Sequence, residues 1–472
     1  MNTTDASTTR GGDDDAATHV VVIGGGPGGY EAALVARRTG ARVTVVERDG
    51  LGGAAVLTDV VPSKTLIATA EWMTIADRAA DLGVQSLEPP TEGSARRHQV
   101  DLARVNARVL ELARAQSADI AARLVADGVE VIDGTARLDG PGRVVVDDGT
   151  VLEADAVLIA TGARPRELPG VRCDGERILD WTQLYALDAL PERLVVVGSG
   201  VTGVEFAGAY NALGADVVLI SSRDRLLPGE DADAAHVLEA VFADRGMTVL
   251  PRSRAAGVRR TDSGVAVELT DGRTVEGSHC LLAMGSVPST RGIGLTEAGV
   301  QLGERGHVLV DAVSRTSVPN VYAAGDCTGI LPVASAAALQ GRIAMAHALG
   351  TAVVPLDLHT VSRTVFTSPE IAAVGASESE LGPGALVRRI DLARNPRAKM
   401  LGIKDGFVKL FADPVTGTVL GGVVVAPRAS ELIFPVTVAV TQRMTAAELA
   451  GVFTVYPALS GSITEVARHL RG

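Results

Sequence analysis

Two short apolar runs, at 19–23 and 194–197, each stop at a glycine-rich turn and then give way to a helical pattern and a second apolar run. The first unit predicts a strand at 19–23, the turn Gly24-Gly25-Gly26-Pro27-Gly28-Gly29, a helix at 30–39 and a strand at 42–47. The second predicts a strand at 194–197, the turn Gly198-Ser199-Gly200-Val201-Thr202-Gly203, a helix from Val204 and a strand at 216–220. One β-α-β unit is therefore written twice, and this is the strongest organisational signal in the chain.

Between and beyond the repeats the pattern is less regular. Apolar spacing predicts a long amphipathic helix at 102–127, small antiparallel strands at 129–132 and 143–147, and a linker at 170–188. Buried-strand character returns at 321–324. From about Leu358 the pattern changes to strands (near Val365, at 408–412 and 419–425) and two helices (429–442 and 462–470). The expected fold class is α/β, with two Rossmann-like nucleotide-binding domains and a separate α+β C-terminal domain.

Composition narrows the function classes. A length of 472 residues exceeds one hydrophobic core. The net charge of −12 and the lack of a basic run with interleaved aromatics argue against nucleic-acid binding. Lysine occurs only at Lys64, Lys399, Lys404 and Lys409, so Lys64 stands out in an apolar stretch. Cys173, Cys280 and Cys327 are too far apart for a disulfide framework or a zinc site, and no metal is expected. The polar first 18 residues predict a disordered tail with no signal-peptide core, and no run is long enough to span a bilayer. A cytoplasmic protein without an integral membrane segment is expected.

The glycine turns carry the chemistry. In Gly24-x-Gly26-x-x-Gly29 the first glycine permits the tight turn and the second lets backbone approach a pyrophosphate. The third lets helix pack on strand, so that the helix N-terminus faces the phosphates. Glu47 ends the next strand, where a carboxylate takes the hydroxyls of an adenosine ribose. The turn Gly198-x-Gly200-x-x-Gly203 is followed by Ser221-Ser222-Arg223 instead of a carboxylate. Serines and an arginine accept a 2′-phosphate, so NADPH is expected, with NADH also used.

Gly52-Gly53 with Pro62-Ser63-Lys64, Ala160-Thr161-Gly162, Gly285-x-x-Pro288 and Ala323-Ala324-Gly325-Asp326 occur in a characteristic order. On these motifs the chain, from about Thr18 to its C-terminus, resembles the class I pyridine nucleotide–disulfide oxidoreductases. The resemblance implies FAD held by Gly24, Gly26, Pro27, Gly28, Gly29, Glu47, Arg48, Gly53, Lys64, Ala136, Thr161, Gly162, Asp326 and Ala334. It implies the nicotinamide nucleotide at Gly198, Gly200, Val201, Thr202, Gly203, Ser221, Ser222, Arg223, Ala255 and Gly285. Lys64 would lie against the flavin and pair with Glu205, which could offset its desolvation. The family is homodimeric through its C-terminal domain. The implied domains are 19–168 and 289–357 for FAD, 169–288 for NAD(P) and 358–472 for dimerisation.

The departures from that pattern decide the reading. The family's redox cysteine pair falls on Ala55 and Val60, and neither forms a thiolate. The C-terminal histidine and its glutamate fall on Tyr456 and Gly461, and a phenol with a pKa near ~10 is no imidazole at neutral pH. Lipoamide, glutathione-type and mercuric reduction are thereby excluded. Together with Tyr456-Pro457-x-Leu459-Ser460, the pattern is similar to the lipoamide-dehydrogenase-like NAD(P)H:quinone reductases of actinobacteria. Quinone reduction is expected, with Lys64, Glu205 and Tyr456 as catalytic candidates and a quinone or other small redox acceptor as partner. A soluble pyridine nucleotide transhydrogenase and a non-enzymatic flavin-stabilised subunit are the alternatives.

Overall fold

The computed structural model describes residues 17–84 and 98–470; the tail expected at 1–18 lies, but for its last two residues, outside them. The chain divides into two compact units. One draws on Met1–Val60, Ala113–Arg164 and Val287–Leu356, the other on Val61–Leu112, Pro165–Ser286 and Asp357–Gly472.

The first unit is built on a parallel sheet in the order Val321–Ala323, Ala156–Ile159, His19–Ile23, Arg42–Glu47, Glu130–Asp133. Val20, Val21 and Val22 are all fully buried, which explains why the run is apolar at every position and not at alternate ones. Each such side chain stabilises the fold by about 1.5–3 kcal/mol. The helix Pro27–Arg38 packs so closely on Ala334–Ala348 that a Cβ on Gly341 would strike the Gly28 carbonyl. This helix starts three residues before the expected 30, inside the glycine motif. Pro27 suits its first turn, where no N–H is needed.

One strand has a different partner from that expected. Residues 129–132 form most of Glu130–Asp133, which pairs in parallel with Arg42–Glu47, Val131 opposite Val45. The small antiparallel sheet consists instead of Ala136–Leu138, Arg143–Val146 and Val151–Glu153. A four-residue run at a sheet edge carries no local signal of its partner.

The second unit repeats the theme. Its parallel sheet has the order Thr248–Leu250, Asp216–Ile220, Arg193–Val197, His279–Leu282, Ile178–Asp180. The last strand corrects the expected linker at 170–188: Ile178–Asp180 pairs in parallel with His279–Leu282. Three residues are too few to display a period. The helix Val201–Leu213 again begins within its glycine motif.

Beyond residue 357 an antiparallel sheet runs Arg363–Val365, Glu370–Gly375, Val419–Ala426, Phe407–Ala412, Leu386–Asp391. The helix expected at 429–442 is two pieces, Ala429–Leu432 and Phe434–Thr441. Pro435 has no N–H to bond back to Glu431 and so interrupts it. One apolar cluster joins Leu66, Phe206, Tyr210, Leu219, Phe407 and Phe411. It fixes the helices Val60–Asp77 and Val201–Leu213 against this sheet, and those helices carry the charged pair described next. Among the described residues no helix is long and apolar enough to cross a membrane.

Candidate active site

In the first glycine turn Gly24 has φ +101° and donates its N–H to the Val46 carbonyl at 2.9 Å. A Cβ there would collide with the Ala160 carbonyl, and one on Gly29 with the Gly24 carbonyl. Gly26 differs, because a Cβ there would meet nothing within 4 Å. Its open face is where a pyrophosphate can approach backbone, at the N-terminus of Pro27–Arg38. Gly53 closes over the same turn; its Cβ would sit 3.0 Å from the Gly26 Cα.

Glu47 is held in place by three backbone N–H groups. Its Oε2 accepts the Gly25 N–H at 2.6 Å, and its Oε1 accepts from Arg48 N and Asp49 N at 2.9 and 2.8 Å. The Arg48 guanidinium itself turns to Asp49. Thr161 and Gly162 lie just beyond the inner strand Ala156–Ile159, and Ala334 opens the helix Ala334–Ala348. Ala136 opens the strand Ala136–Leu138 of the small sheet and is buried in the core. Asp326 follows Gly325, whose φ is +82°. Burial, and then the nearby Asp59 carboxylate, push the Asp326 pKa up to about 6. These residues fit an FAD adenosine diphosphate, with backbone for phosphate and a carboxylate for ribose.

The second turn superimposes in logic. Gly198 has φ +121° and donates to the Ile220 carbonyl at 3.0 Å. Gly203 abuts the Gly198 carbonyl, and Gly200 is open within 4 Å. Val201 and Thr202 form the first turn of Val201–Leu213. Ser221 is fully buried, with its hydroxyl 2.7 Å from that of Ser199 and 3.1 Å from the Arg223 N–H. Ser222 and Arg223 are exposed beside it. Arg225 is tied to the Pro228 and Glu230 carbonyls. Ala255 is buried at the start of Ala255–Arg260, and Gly285 lies in an open turn with φ +82°.

Lys64, on the helix Val60–Asp77, meets Glu205, on Val201–Leu213, with Nζ 2.9 Å from Oε2. Glu205 is 3% exposed and Lys64 27%. A residue with no sequence signal completes the arrangement. The Phe366 N–H donates to Glu205 Oε1 at 2.8 Å, and the Phe366 ring lies 5.1 Å from Lys64 Nζ. Nothing in the spacing links Phe366 to a glutamate 161 positions away.

Ala55 lies within the short helix Gly53–Leu57, and Val60 opens Val60–Asp77. All three cysteines are free; Cys280 and Cys327 are buried and Cys173 half-buried. Burial pushes the Cys173 thiol up to about 11 and the Cys327 thiol up to about 12, and it raises Cys280 as well. None is a thiolate at neutral pH. Tyr456 is 82% exposed, in the loop before Gly461–His469. Among the described residues no cluster of His, Cys, Asp and Glu could hold a metal.

Residues 18–341 match the model of the pyridine nucleotide-disulphide oxidoreductases, and residues 361–467 match the dimerisation domain of the same family. The chain belongs to the pyridine nucleotide-disulphide oxidoreductase family. Its members use FAD and NAD(P)H, consistent with the two turns. The chain is 54% identical over 458 residues to the NAD(P)H dehydrogenase (quinone) of Mycobacterium tuberculosis, covering 94% of this chain and 92% of that one. The crystal structure of LpdA from Mycobacterium tuberculosis matches with a TM-score of 0.90 at 53% identity, covering 96% of this chain and all of that one. The dihydrolipoyl dehydrogenase of Zymomonas mobilis is 34% identical over 452 residues, covering 93% of this chain and 94% of that one.

Proposed function

We propose that this family member is an FAD-dependent NAD(P)H:quinone oxidoreductase that works without a redox disulfide and is not a dihydrolipoamide dehydrogenase. One observation carries the reading. Both nucleotide turns are complete, while Ala55 and Val60 stand where the family's cysteines would and no other cysteine is available as thiolate. The name of the Mycobacterium tuberculosis relative, NAD(P)H dehydrogenase (quinone), supports the acceptor class.

FAD, when bound, would supply two-electron redox chemistry between a nicotinamide and the acceptor. The residues of this chain then have distinct tasks. Gly26 gives backbone to the pyrophosphate at the helix N-terminus, Gly24, Gly28 and Gly29 allow the close packing that holds the turn, and Glu47 takes the ribose hydroxyls. Asp326 serves the remaining polar edge of the cofactor. Gly198, Gly200 and Gly203 bind the nicotinamide nucleotide, with Ser222 and Arg223 available to a 2′-phosphate. Lys64 supplies a fixed positive charge for the reduced ring, and Glu205 keeps that ammonium partnered where water is largely excluded.

Residues 19–168 and 289–357 are assigned to FAD, 169–288 to NAD(P) and 358–472 to dimerisation. A homodimer is proposed through the last of these, which leaves Phe434, Phe453, Val455 and Tyr456 exposed in a single chain. Tyr456 would line the partner's acceptor site. A cytoplasmic location is part of the same proposal.

Anaerobic addition of NADPH, followed by an acceptor panel, tests the reading. Flavin absorbance should bleach, and a naphthoquinone should restore it far faster than it reoxidises free FADH₂, whereas lipoamide should not. Quinone reduction no faster than that by free FAD would sink the proposal.

A further inference from the structure

We infer that Phe366 is a positioning residue for the Lys64–Glu205 pair, holding the carboxylate with its backbone and the ammonium with its ring. This deepens the proposed function and rests on its assignment of Lys64 to the flavin.

A carboxylate 3% exposed needs a partner on each oxygen, or its desolvation is uncompensated. Glu205 has one on each: Lys64 Nζ on Oε2 at 2.9 Å and Phe366 N–H on Oε1 at 2.8 Å. The backbone bond fixes the carboxylate plane, and with it the direction from which the ammonium approaches.

Lys64 has a flexible four-carbon arm and three donors, which on their own define no single position. Glu205 takes one, and the Ser63 hydroxyl lies 3.2 Å away. The Phe366 ring, with its centroid 5.1 Å from Nζ, adds a cation–π contact on another side. One residue thus touches both charges through two chemically different groups.

Phe366 is itself anchored from both sides. It follows the strand Arg363–Val365, and Thr367 donates its hydroxyl to the Pro369 carbonyl at 2.7 Å. The Arg245 guanidinium donates to the Ser368 hydroxyl at 3.2 Å. Residues 366–370 also form one wall of a crevice of ≈ 50 Å³, faced by Ile67, Ala70 and Ala209. Phe366 is only partly buried and lies outside the apolar core cluster, so a smaller side chain at 366 costs less than a core truncation would.

Amine acylation of the holoenzyme, mapped by mass spectrometry over the four lysines, tests the inference. Phe366→Leu should make Lys64 roughly 2–30-fold more reactive, the span of a cation–π contact from an exposed to a desolvated site. Lys399 and Lys404 should be unchanged, and Phe366→Tyr, which keeps the ring, should behave as wild type. Lys409 is 3% exposed and reports on the fold; if it becomes reactive, Phe366→Met is read in place of Phe366→Leu. An unchanged Lys64 rate in the well-folded variant overturns the proposal.

The midpoint potential of the bound flavin separates the two layers. Lys64→Gln should make it more negative, and Phe366→Leu should move it the same way by less. If Phe366→Leu frees Lys64 and Lys64→Gln leaves the potential in place, positioning stands and the assignment of Lys64 to the flavin fails.

Discussion

Ser221 occupies in the second nucleotide unit the place that Glu47 holds in the first. The first glycine of each turn donates to the last residue before them, Gly24 to Val46 and Gly198 to Ile220. The residue after that glycine is also matched. Gly25 offers its N–H to the Glu47 carboxylate, and the Ser199 and Ser221 hydroxyls share a hydrogen bond. A neutral, internally bonded hydroxyl pair thus stands where a ribose-binding carboxylate would repel a 2′-phosphate, with Ser222 and Arg223 exposed beside it.

Cofactor choice should follow from that substitution. The double variant Ser199→Gly, Ser221→Glu rebuilds the arrangement of the first turn. It should raise the KM for NADPH about tenfold, some 1.4 kcal/mol, and leave or improve that for NADH. Arg223→Ala should weaken NADPH alone. Steady-state kinetics with both nucleotides against one quinone check this, and equal effects on the two would refute it.

The Lys64–Glu205 pair should matter to rate and to stability. Glu205→Gln keeps an acceptor for the Phe366 N–H but leaves Lys64 without its counter-charge. The reductive step, followed by stopped-flow flavin bleaching, should slow at least about tenfold. Unfolding free energy should fall by about 1–3 kcal/mol, less than for a fully buried pair because the lysine is partly solvated.

Much of this was legible in the sequence, and the limits have physical causes. Strands such as His19–Ile23 and Asp216–Ile220 fall at the expected residues because burial on both faces requires unbroken apolar runs, here 20–23 and 217–220. Glu130–Asp133 was expected as a strand but with an antiparallel partner, and Ile178–Asp180 was expected within a linker, since pairing at a sheet edge is a property of the neighbour and not of the run. Glu205 and Lys64 could be named from motifs, but Phe366 joins them by a backbone N–H, which every non-proline residue carries. Ser221 could be singled out in the sequence as the residue standing where a carboxylate would, but its bond to Ser199 was not legible.

Asp326 should make the FAD-free protein less stable as pH rises. Its folded pKa, about 6, lies above the unfolded value of 3.8. The folded state therefore binds the proton more tightly, and its contribution is complete below pH ~4 and lost as pH climbs through 6. The difference in unfolding free energy between wild type and Asp326→Asn should grow by roughly 2–3 kcal/mol in the variant's favour from pH 4 to pH 7. Denaturant melts of the two apoproteins at both pH values measure it, and a constant difference refutes the assignment.

Thiol chemistry should be irrelevant to turnover, and this separates the chain most sharply from disulfide-using relatives. An enzyme with a redox pair exposes a reactive thiolate once NADPH has reduced it, and alkylation then kills it. Ala55 and Val60 can expose none. Cys280 and Cys327 are enclosed, and burial holds Cys173 at about 11, so that its thiolate fraction at pH 7.5 is negligible. NADPH-reduced enzyme treated with iodoacetamide should therefore keep its full quinone reductase rate, as should the variant with all three cysteines replaced by serine or alanine, provided it folds. Inactivation that depends on prior reduction by NADPH would mean that one of these three thiols takes part in the electron path, and the disulfide-free route would have to be abandoned.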